Sequence, residues 1–329
     1  MKKIINDTEN IVNEMIEGMI KAFSDKLERI ENTDVIIRKD RKKDKVAIIS
    51  GGGSGHEPAH AGYVGYGMLD CAVCGEVFTS PTPDQVYEAI KNADCGKGVF
   101  LIIKNYTGDV MNFDMAKEMA EAEGIKVDYI VVNDDVAVED STYTTGRRGI
   151  CGTILFHKIL GAMAEDSKSL EEIKECAENL VKNIKSMGMA IKPCTIASVG
   201  KENFHLEDDE MEIGIGIHGE PGIKREKIKT ANEITKELTD KILSEFDDLS
   251  EVLVIVNGMG QTPEMELFIV NNFLHDYLTD KDIKIYKSMV GNYMTSLDMA
   301  GFSITILKLN EEFKKYLDYK ADTICLKEL

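Results

Sequence analysis

Basic residues are scarce in this sequence, and long apolar runs are missing from it. Across 329 residues, 39 lysines and arginines stand against 58 aspartates and glutamates, which gives a formal net charge of -19. Because nucleic acids and anionic membranes bind clustered lysines and arginines, this balance argues against both as partners. No run of about 18 apolar residues occurs, so the sequence predicts no membrane-spanning helix. The first residues also lack the apolar core of a signal peptide, and we expect a cytoplasmic location.

A disulfide framework is missing as well. The seven cysteines are odd in number and scattered over a long chain, which is typical of a reducing compartment rather than of a small secreted protein. Cys71 and Cys74 have the spacing of a redox or metal-binding pair. Neither a second pair nor a ligating histidine follows at suitable spacing, so we expect two buried structural thiols and no metal site.

What the sequence does contain is a glycine-rich loop directly after a buried strand. The apolar, β-branched segment 46–50 predicts the strand, and the glycines from Gly51 to Gly55 allow positive φ angles and close approach to a small molecule. The loop delivers His56 and Glu57 to the carboxyl end of the strand, where crevices form in open α/β sheets. A tight turn without a ligand is the alternative interpretation.

This loop does not match the sequence motifs that bind nucleotides. Gly51 and Gly53 are followed by His56 where the dinucleotide fingerprint requires its third glycine. No Lys-Ser or Lys-Thr pair follows, as a P-loop needs. The sequence therefore predicts no nucleotide site in this loop.

Strand and helix patterns alternate along the chain. Such βαβ alternation predicts a largely parallel sheet with right-handed crossovers. We predict helices over 8–31, from 83, over 112–124, in two parts over 151–184, over 227–245 and from about 263. We predict strands over 46–50, 98–103, 127–132, 211–218, 251–256, 283–290 and 303–309. The expected fold class is α/β, with two α/β domains that each contain a mixed, largely parallel sheet flanked by helices.

One domain boundary is expected at residues 185–188, where Lys-Ser-Met-Gly is typical of a hinge. We predict that residues 1–185 form an N-terminal α/β domain with the glycine-rich loop. Residues 186–329 are then a C-terminal α/β domain that carries His218.

His218 is a second histidine that could take part in chemistry, as His56 could. Asp109 follows a predicted strand, as His56 does, so sharp turns from neighbouring strands can meet in one crevice. His218 ends an alternating strand between Gly216 and Gly219, small neighbours that leave its imidazole uncovered. From the local sequence alone, His218 is either a functional group or a histidine of the core.

Long segments of the chain resemble the substrate-binding subunit of dihydroxyacetone kinase. The first of them begins in the glycine-rich loop, and together they span essentially the whole chain. The resembling segments are 51–74, 76–83, 104–114, 147–150, 152–153, 211–222, 256–260, 262–263 and 293–301. The resemblance implies a kinase of the phosphoenolpyruvate-dependent phosphotransferase type, which phosphorylates dihydroxyacetone, or glycerone, a compound of glycerol metabolism.

The resemblance also implies roles for individual residues. His218 would bond covalently to the substrate as a hemiaminal, and either His56 or Asp109 would take the proton of the hydroxyl that attacks phosphorus. Lys104 would hold substrate oxygens or meet the incoming phosphate charge, with a surface salt bridge as the alternative. The implied catalytic residues are His56, Asp109 and His218, and the implied substrate-binding residues are Gly53, Ser54, Gly55, His56, Lys104, Asp109 and His218.

A phosphate donor is not recognisable in the sequence. It contains neither a nucleotide-phosphate loop nor a magnesium-binding acidic cluster with a matching lysine. The resemblance implies that ADP or ATP and magnesium are held by a separate nucleotide-binding kinase subunit, which a phosphohistidine carrier rephosphorylates from phosphoenolpyruvate. It implies no cofactor in this chain, and a homodimer.

Two other functions stay open. A ligand-sensing paralogue would bind dihydroxyacetone through His218 and switch a transcription regulator without transferring phosphate. Such a sensor needs no base, so the presence of His56 and Asp109 argues against it. A general small-carbonyl or acyl-chain binding module would have no reason to combine these three residues.

Overall fold

The computed structural model describes residues 2–139, 145–202 and 204–328. Its contacts divide the chain into two compact units, and neither unit is one continuous segment. The N-terminal unit consists of Lys2–Val132, Thr153–Leu180 and Glu311–Leu329. The C-terminal unit consists chiefly of Asn133–Gly152 and Val181–Asn310. This division differs from the single boundary that we placed at residue 185.

A six-stranded mixed sheet forms the middle of the N-terminal unit. Its strands are β1 (Leu27–Arg29), β2 (Val35–Arg38), β3 (Ala47–Ser54), β4 (Cys71–Val77), β5 (Val99–Lys104) and β6 (Val127–Val132). The order across the sheet is β1-β2-β4-β3-β5-β6. The pairs β4-β3, β3-β5 and β5-β6 are parallel, whereas β1-β2 and β2-β4 are antiparallel. The carboxyl ends of β3 and β5 therefore lie side by side.

Helices cover both faces of this sheet. They are α1 (Ile11–Ala22), α2 (Pro83–Ala93), α3 (Thr107–Ala122), α4 (Thr153–Glu165) and α5 (Leu170–Asn183). Ile90 of α2 and Phe113 of α3 share one core with Ile49 and Leu101 of the sheet. Neighbouring strand residues point to opposite faces, and α4 packs on β3 and β5 from the other side. Every residue of α4 is buried.

Residues 311–329 return to the N-terminal unit. They form a helix over Glu311–Leu317, here α8, and a short hairpin of β15 (Ala321–Asp322) and β16 (Lys327–Glu328). α8 packs against α4 and buries Phe313 and Tyr316. Lys158 of α4 donates to the carbonyl oxygen of Tyr316 at 2.8 Å. These buried contacts explain why the segment belongs to this unit.

The C-terminal unit contains a second six-stranded sheet, in the order β11-β10-β7-β14-β12-β13. Its strands are β7 (Ile184–Lys192), β10 (Glu210–Ile213), β11 (Lys224–Lys227), β12 (Glu251–Gly258), β13 (Lys284–Gly291) and β14 (Ala300–Lys308). The pair β12-β13 is parallel, and the other four neighbouring pairs are antiparallel. A separate small hairpin pairs β8 (Thr195–Ile196) with β9 (Lys201–Glu202).

Two helices of this unit, α6 (Ala231–Leu243) and α7 (Glu264–Thr279), pack on the second sheet. α6 begins with a capping box, in which Thr230 and Glu233 satisfy each other's backbone N–H groups. Leu238 and Leu274 share a core with Val254 of the sheet. No helix within the described ranges is both long and apolar enough to cross a membrane.

Cys71 and Cys74 lie in β4, and both are buried free thiols. Burial raises the pKa of both thiols, to about 12 for Cys74. The interpretation of this pair as structural thiols is confirmed. Among the residues that the structure describes, no three His, Cys, Asp or Glu side chains are grouped as metal ligands.

The predicted fold class, two α/β domains with mixed sheets flanked by helices, is confirmed. The first sheet is largely parallel, whereas antiparallel pairs prevail in the second. Residues 185–188, which we interpreted as a hinge, lie inside β7, because Met187 is a core residue of the sheet. The predicted strand 211–218 ends at Ile213, since Gly214 has a φ of +76° and turns the chain out of the sheet.

Candidate functional site

Gly51, Gly52 and Gly53, which we predicted in a loop after the strand, lie inside β3, and Gly52 and Gly53 leave no room for a side chain. A Cβ atom on Gly52, whose φ is +152°, would lie 2.1 Å from Nζ of Lys104. A Cβ atom on Gly53 would lie 2.6 Å from the backbone nitrogen of Thr79. The glycines therefore let a lysine side chain and a neighbouring backbone segment approach the end of the strand.

Lys104 is the last residue of β5, and its side chain is fully buried. A lysine ammonium has three N–H donors and no acceptor. Three acceptors lie 3.2 Å from Nζ, namely the carbonyl oxygen of Gly51, Nε2 of His60 and Oδ2 of Asp109. Protein groups therefore satisfy the ammonium, and the ion pair is buried rather than the surface salt bridge that we considered.

Asp109 lies in the first turn of α3, where the positive end of the helix dipole favours a carboxylate. Its Oδ1 accepts a hydrogen bond from the hydroxyl of Ser80, and its Oδ2 accepts one from Lys104. The parallel pairing of β3 with β5 brings the glycine-rich loop and this pair to the same edge of the sheet. Lys104 and Asp109 are thus one buried, hydrogen-bonded pair.

His56 follows β3 and is fully buried. Its imidazole stacks on the ring of Phe78, with the ring centroids 5.1 Å apart and 19° between the planes. The stacking fixes the plane of the imidazole. A histidine held in this way can present a ring nitrogen in a defined direction, as a general base requires.

Ser54 and Gly55 shape the loop between β3 and His56. The hydroxyl of Ser54 donates to the carbonyl oxygen of Gly75 at 2.7 Å. The backbone N–H of Gly55 donates to Oε1 of Glu57 at 3.0 Å, and burial raises the pKa of that carboxyl despite this bond. Both bonds tie the loop to itself and to β4.

Two further histidines lie behind Lys104. Nδ1 of His60 is 3.2 Å from Oγ of Ser50 and 3.4 Å from Nε2 of His157. Burial lowers the pKa of both imidazoles, and the positive charge of Lys104 lowers it further, to about 3 for His157. Both rings are therefore neutral at physiological pH.

These histidines make stability depend on pH in a defined direction. Below pH 6.5 the unfolded chain protonates His157, whereas the folded chain keeps it neutral down to about pH 3. The unfolded state then binds more protons, so the free energy of unfolding falls with falling pH, by about 1.4 kcal/mol per pH unit for this group. We expect denaturant titrations between pH 7.5 and 4.5 to give a shallower decline for His157→Phe than for the native chain. Equal slopes would contradict a neutral His157.

In the C-terminal unit, Arg148 holds the loop that carries His218. Its guanidinium donates to the carbonyl oxygen of Gly214 at 2.8 Å and pairs with Asp135 and Glu220. Glu220 in turn accepts the backbone N–H of His218 at 2.9 Å. Burial raises the pKa of Asp135 to about 6, against the lowering effect of Arg148. A buried network of charges therefore fixes the backbone at His218, whose side chain is half-buried.

The predicted site residues are divided between the two units. His218 lies in the C-terminal unit, and the other predicted residues lie in the N-terminal unit, at or after the ends of β3 and β5. The structure joins Lys104 and Asp109 directly. The roles of all these residues toward a ligand stay predictions. The residues of the N-terminal unit are Gly53, Ser54, Gly55, His56, Lys104 and Asp109.

Comparison with known proteins covers the whole chain. The Dak1 domain matches residues 17–325. The chain belongs to the Dak1 family. It is 57% identical to the "PTS-dependent dihydroxyacetone kinase 1, dihydroxyacetone-binding subunit DhaK" of Listeria innocua, over 98% of this chain and 99% of that protein. It is 55% identical to the corresponding subunit of Lactococcus lactis, over 98% of each chain.

A solved structure is similar to this Dak1 chain along its whole length. It is the "Dihydroxyacetone kinase operon co-activator Dha-DhaQ", with a TM-score of 0.91 and 38% identity, covering 96% of this chain and 98% of that one. Proteins similar to this chain are therefore named as kinase subunits in some cases and as a co-activator in another.

Some residues that surround the predicted Dak1 site were missed by the sequence analysis. His60 stands four positions after His56 in the glycine-rich loop, and that spacing of two histidines is a signal that we did not use. Ser80, Arg148 and Glu220 lie inside the resembling segments. Nothing in their local pattern indicates that they contact Asp109, Gly214 or the backbone of His218, because those contacts form only in the folded chain.

Proposed function

We propose that this chain is the dihydroxyacetone-binding subunit of a dihydroxyacetone kinase, which presents a substrate hydroxyl for phosphorylation by a partner subunit. The observation that carries the proposal is the end-to-end match with the Listeria innocua subunit, at 57% identity over 98% of this chain and 99% of that protein. A shared fold alone would not specify an activity. Identity at this level over 98% of this chain and 99% of that protein supports the same activity, because the matched length includes the loop, the strand ends and the buried pair described above.

We propose that His218 anchors the substrate as a covalent hemiaminal. Dihydroxyacetone has only six heavy atoms, so noncovalent contacts give it modest affinity. A neutral ring nitrogen adds to the carbonyl carbon, the former π electrons move to the carbonyl oxygen, and that oxygen gains the proton that the ring loses. Glycerol has no carbonyl group and forms no such adduct. The backbone of His218 is held by Glu220, which supports this role because it fixes the point from which the side chain extends.

We propose that Asp109, with His56 as the second candidate, takes the proton of the substrate hydroxyl as that oxygen attacks phosphorus. Support comes from the ion pair with Lys104, whose buried ammonium lies 3.2 Å from Oδ2 of Asp109 and holds the carboxylate in a fixed position. A positioned carboxylate can act as a general base. His56 is the second candidate because stacking on Phe78 holds its ring in a fixed plane.

The phosphate donor in this proposal is a separate kinase subunit that holds ADP or ATP with magnesium. A phosphohistidine carrier restores its phosphate from phosphoenolpyruvate. The Listeria and Lactococcus relatives are named PTS-dependent kinase subunits and have nearly the same length as this chain, which supports this division of labour.

We also propose a cytoplasmic homodimer. Gly53, Ser54, Gly55 and Lys104 are the further residues that we propose to bind the substrate.

The test of this function is partner-dependent turnover. We expect the purified chain alone to leave dihydroxyacetone unphosphorylated in the presence of ATP and magnesium. Addition of a nucleotide-binding kinase subunit from the same source should start formation of dihydroxyacetone phosphate, measured by a coupled assay. Rapid turnover of the chain by itself would contradict the proposed division between two subunits.

A second candidate function is co-activation of transcription, because the similar solved structure with a TM-score of 0.91 carries that name. Its identity of 38% is well below the 57% of the kinase subunit, and this difference favours the kinase. A co-activator would form the adduct but would yield no phosphorylated product with any kinase subunit. Adduct mass and turnover, measured on one preparation, separate the two functions.

A further inference from the structure

We propose that His60 is a positioning residue for the Lys104–Asp109 pair. Its neutral imidazole accepts a hydrogen bond from the ammonium through Nε2 and so holds Lys104 against the carboxylate. The consequence for turnover rests on the proposed function, whereas the arrangement of protons rests on contacts within the N-terminal unit alone.

The state of Nε2 follows from its neighbour. Lys104 presents only N–H groups, so an atom 3.2 Å from its Nζ must offer a lone pair. Nε2 of His60 is that atom and therefore carries no proton. A neutral imidazole then carries its single proton on Nδ1.

The other side of the ring agrees with this assignment. Oγ of Ser50 donates its own proton to the carbonyl oxygen of Ile102 at 2.7 Å, so toward His60 it acts as an acceptor. It lies 3.2 Å from Nδ1 of His60, as an acceptor of the Nδ1 proton should. Nε2 of His157 lies 3.4 Å from the same Nδ1, and its role depends on the tautomer of His157. Ser50 thus favours the tautomer of His60 that Lys104 needs.

His60 completes the set of acceptors around Lys104. Gly51 and Asp109 supply the other two, and all three N–H groups of the ammonium point at protein atoms. Without His60, one N–H is left unsatisfied in a buried place, and the ammonium is free to move away from Asp109. The carboxylate then loses the geometry that proton transfer requires.

This role predicts a particular division between kinetic constants. Three protein atoms accept hydrogen bonds from Lys104, and His60 is one of them, so loss of His60 should lower kcat by more than it changes KM. A hydrogen bond to a charged group corresponds to a factor of about 10 to 100. A general loss of folding would instead reduce the amount of active protein, which titration of the adduct measures separately.

Two substitutions test the role of each ring nitrogen. In His60→Asn the amide nitrogen can still reach Ser50, but nothing reaches Lys104. In His60→Gln the longer side chain can place its carbonyl oxygen near the position of Nε2. We expect kcat of His60→Asn, per adduct-forming site, to fall about 10- to 100-fold and His60→Gln to recover most of that loss. The matched control is His205→Asn, at an exposed histidine, which should keep the native kcat.

The proton arrangement is tested without any turnover. Nitrogen-15 spectra of histidine-labelled protein, with the His60 signals assigned by their loss in His60→Gln, should show a protonated Nδ1 and a bare Nε2 at pH 7. A protonated Nε2 would overturn the proposal.

The kcat values of the His60 variants provide the second test of the proposal. If His60→Asn and His60→Gln both keep the native kcat, the positioning role is overturned. Equal losses of kcat in the two variants would also overturn it, once each variant is shown to form the adduct. If the native chain turns over with no partner, the proposed function fails, and the nitrogen-15 result still decides the proton arrangement. Failure of the proposed function and failure of the role of His60 can therefore be distinguished.

Discussion

Replacing Asp109 with asparagine is expected to slow partner-dependent phosphoryl transfer by about 10² to 10⁴-fold. Asparagine keeps the shape of the side chain but removes the carboxylate that we propose as the acceptor of the hydroxyl proton. This factor corresponds to about 3 to 5 kcal/mol of lost transition-state stabilisation. Addition of His218 to the carbonyl carbon needs no group from Asp109, so the mass gain with dihydroxyacetone should persist in the variant.

The structure adds an effect on stability that must be separated from the effect on chemistry. Lys104 is fully buried, and Asp109 is the anionic group among its three acceptors. Removing one member of a buried ion pair typically costs about 3 to 5 kcal/mol. We therefore expect Asp109→Asn to unfold at lower denaturant concentration. The double variant Asp109→Asn with Lys104→Met should regain stability without regaining turnover.

Asp114→Asn is the matched control for this experiment. Asp114 is an exposed carboxylate on the same helix, α3, and its replacement should leave turnover and stability unchanged. His56→Asn should also slow transfer if His56 shares the proton. Native rates in both Asp109→Asn and His56→Asn would exclude both residues as the base.

Replacing His218 with alanine is expected to abolish covalent binding of dihydroxyacetone. The native chain should gain the full mass of the ketone, because hemiaminal formation is an addition without a leaving group. Alanine has no nitrogen to add to the carbonyl carbon, so the variant should gain no mass. Intact mass spectrometry under native conditions, with glycerol as a ligand that has no carbonyl, measures this directly.

The fixed loop around His218 makes a matched control available. His205 is an exposed histidine of the same unit, so His205→Ala should gain the same mass as the native chain. Since Glu220 accepts the backbone N–H of His218, the alanine variant should keep the loop conformation. Covalent mass gain in His218→Ala would show that another nucleophile carries the substrate.

The sequence predicted those parts of the fold that local patterns encode. The β-branched runs that became β5, β6 and β12 stand out because their apolar residues are consecutive. β7 was missed because its apolar residues alternate with lysine, serine and glycine, and pairing with β10 and β14 makes it a strand. Gly214 ended the predicted strand 211–218 early, since the turn depends on a backbone angle that the alternating pattern does not reveal.

The candidate site was predictable to a similar extent. The glycine-rich segment follows from the sequence, as does the position of Asp109 after the next parallel strand, but Gly51, Gly52 and Gly53 extend β3 instead of following it. The burial of Lys104 does not follow, because Gly51 and His60, two of its three acceptors, come from distant positions that meet only in the fold. The neutral state of His60 depends in the same way on burial and on the charge of Lys104.

Because the N-terminal unit consists of separate segments, it cannot be completed during synthesis until its last segment leaves the ribosome. Residues 133–310 include almost all of the C-terminal unit, and they are synthesised before residues 311–329 emerge. Until then α4 lacks α8, and the ammonium of Lys158 lacks the carbonyl oxygen of Tyr316. Domains of a growing chain usually mature from the N-terminus onward. Here the unit that is begun first, with the glycine-rich loop, is the one completed last.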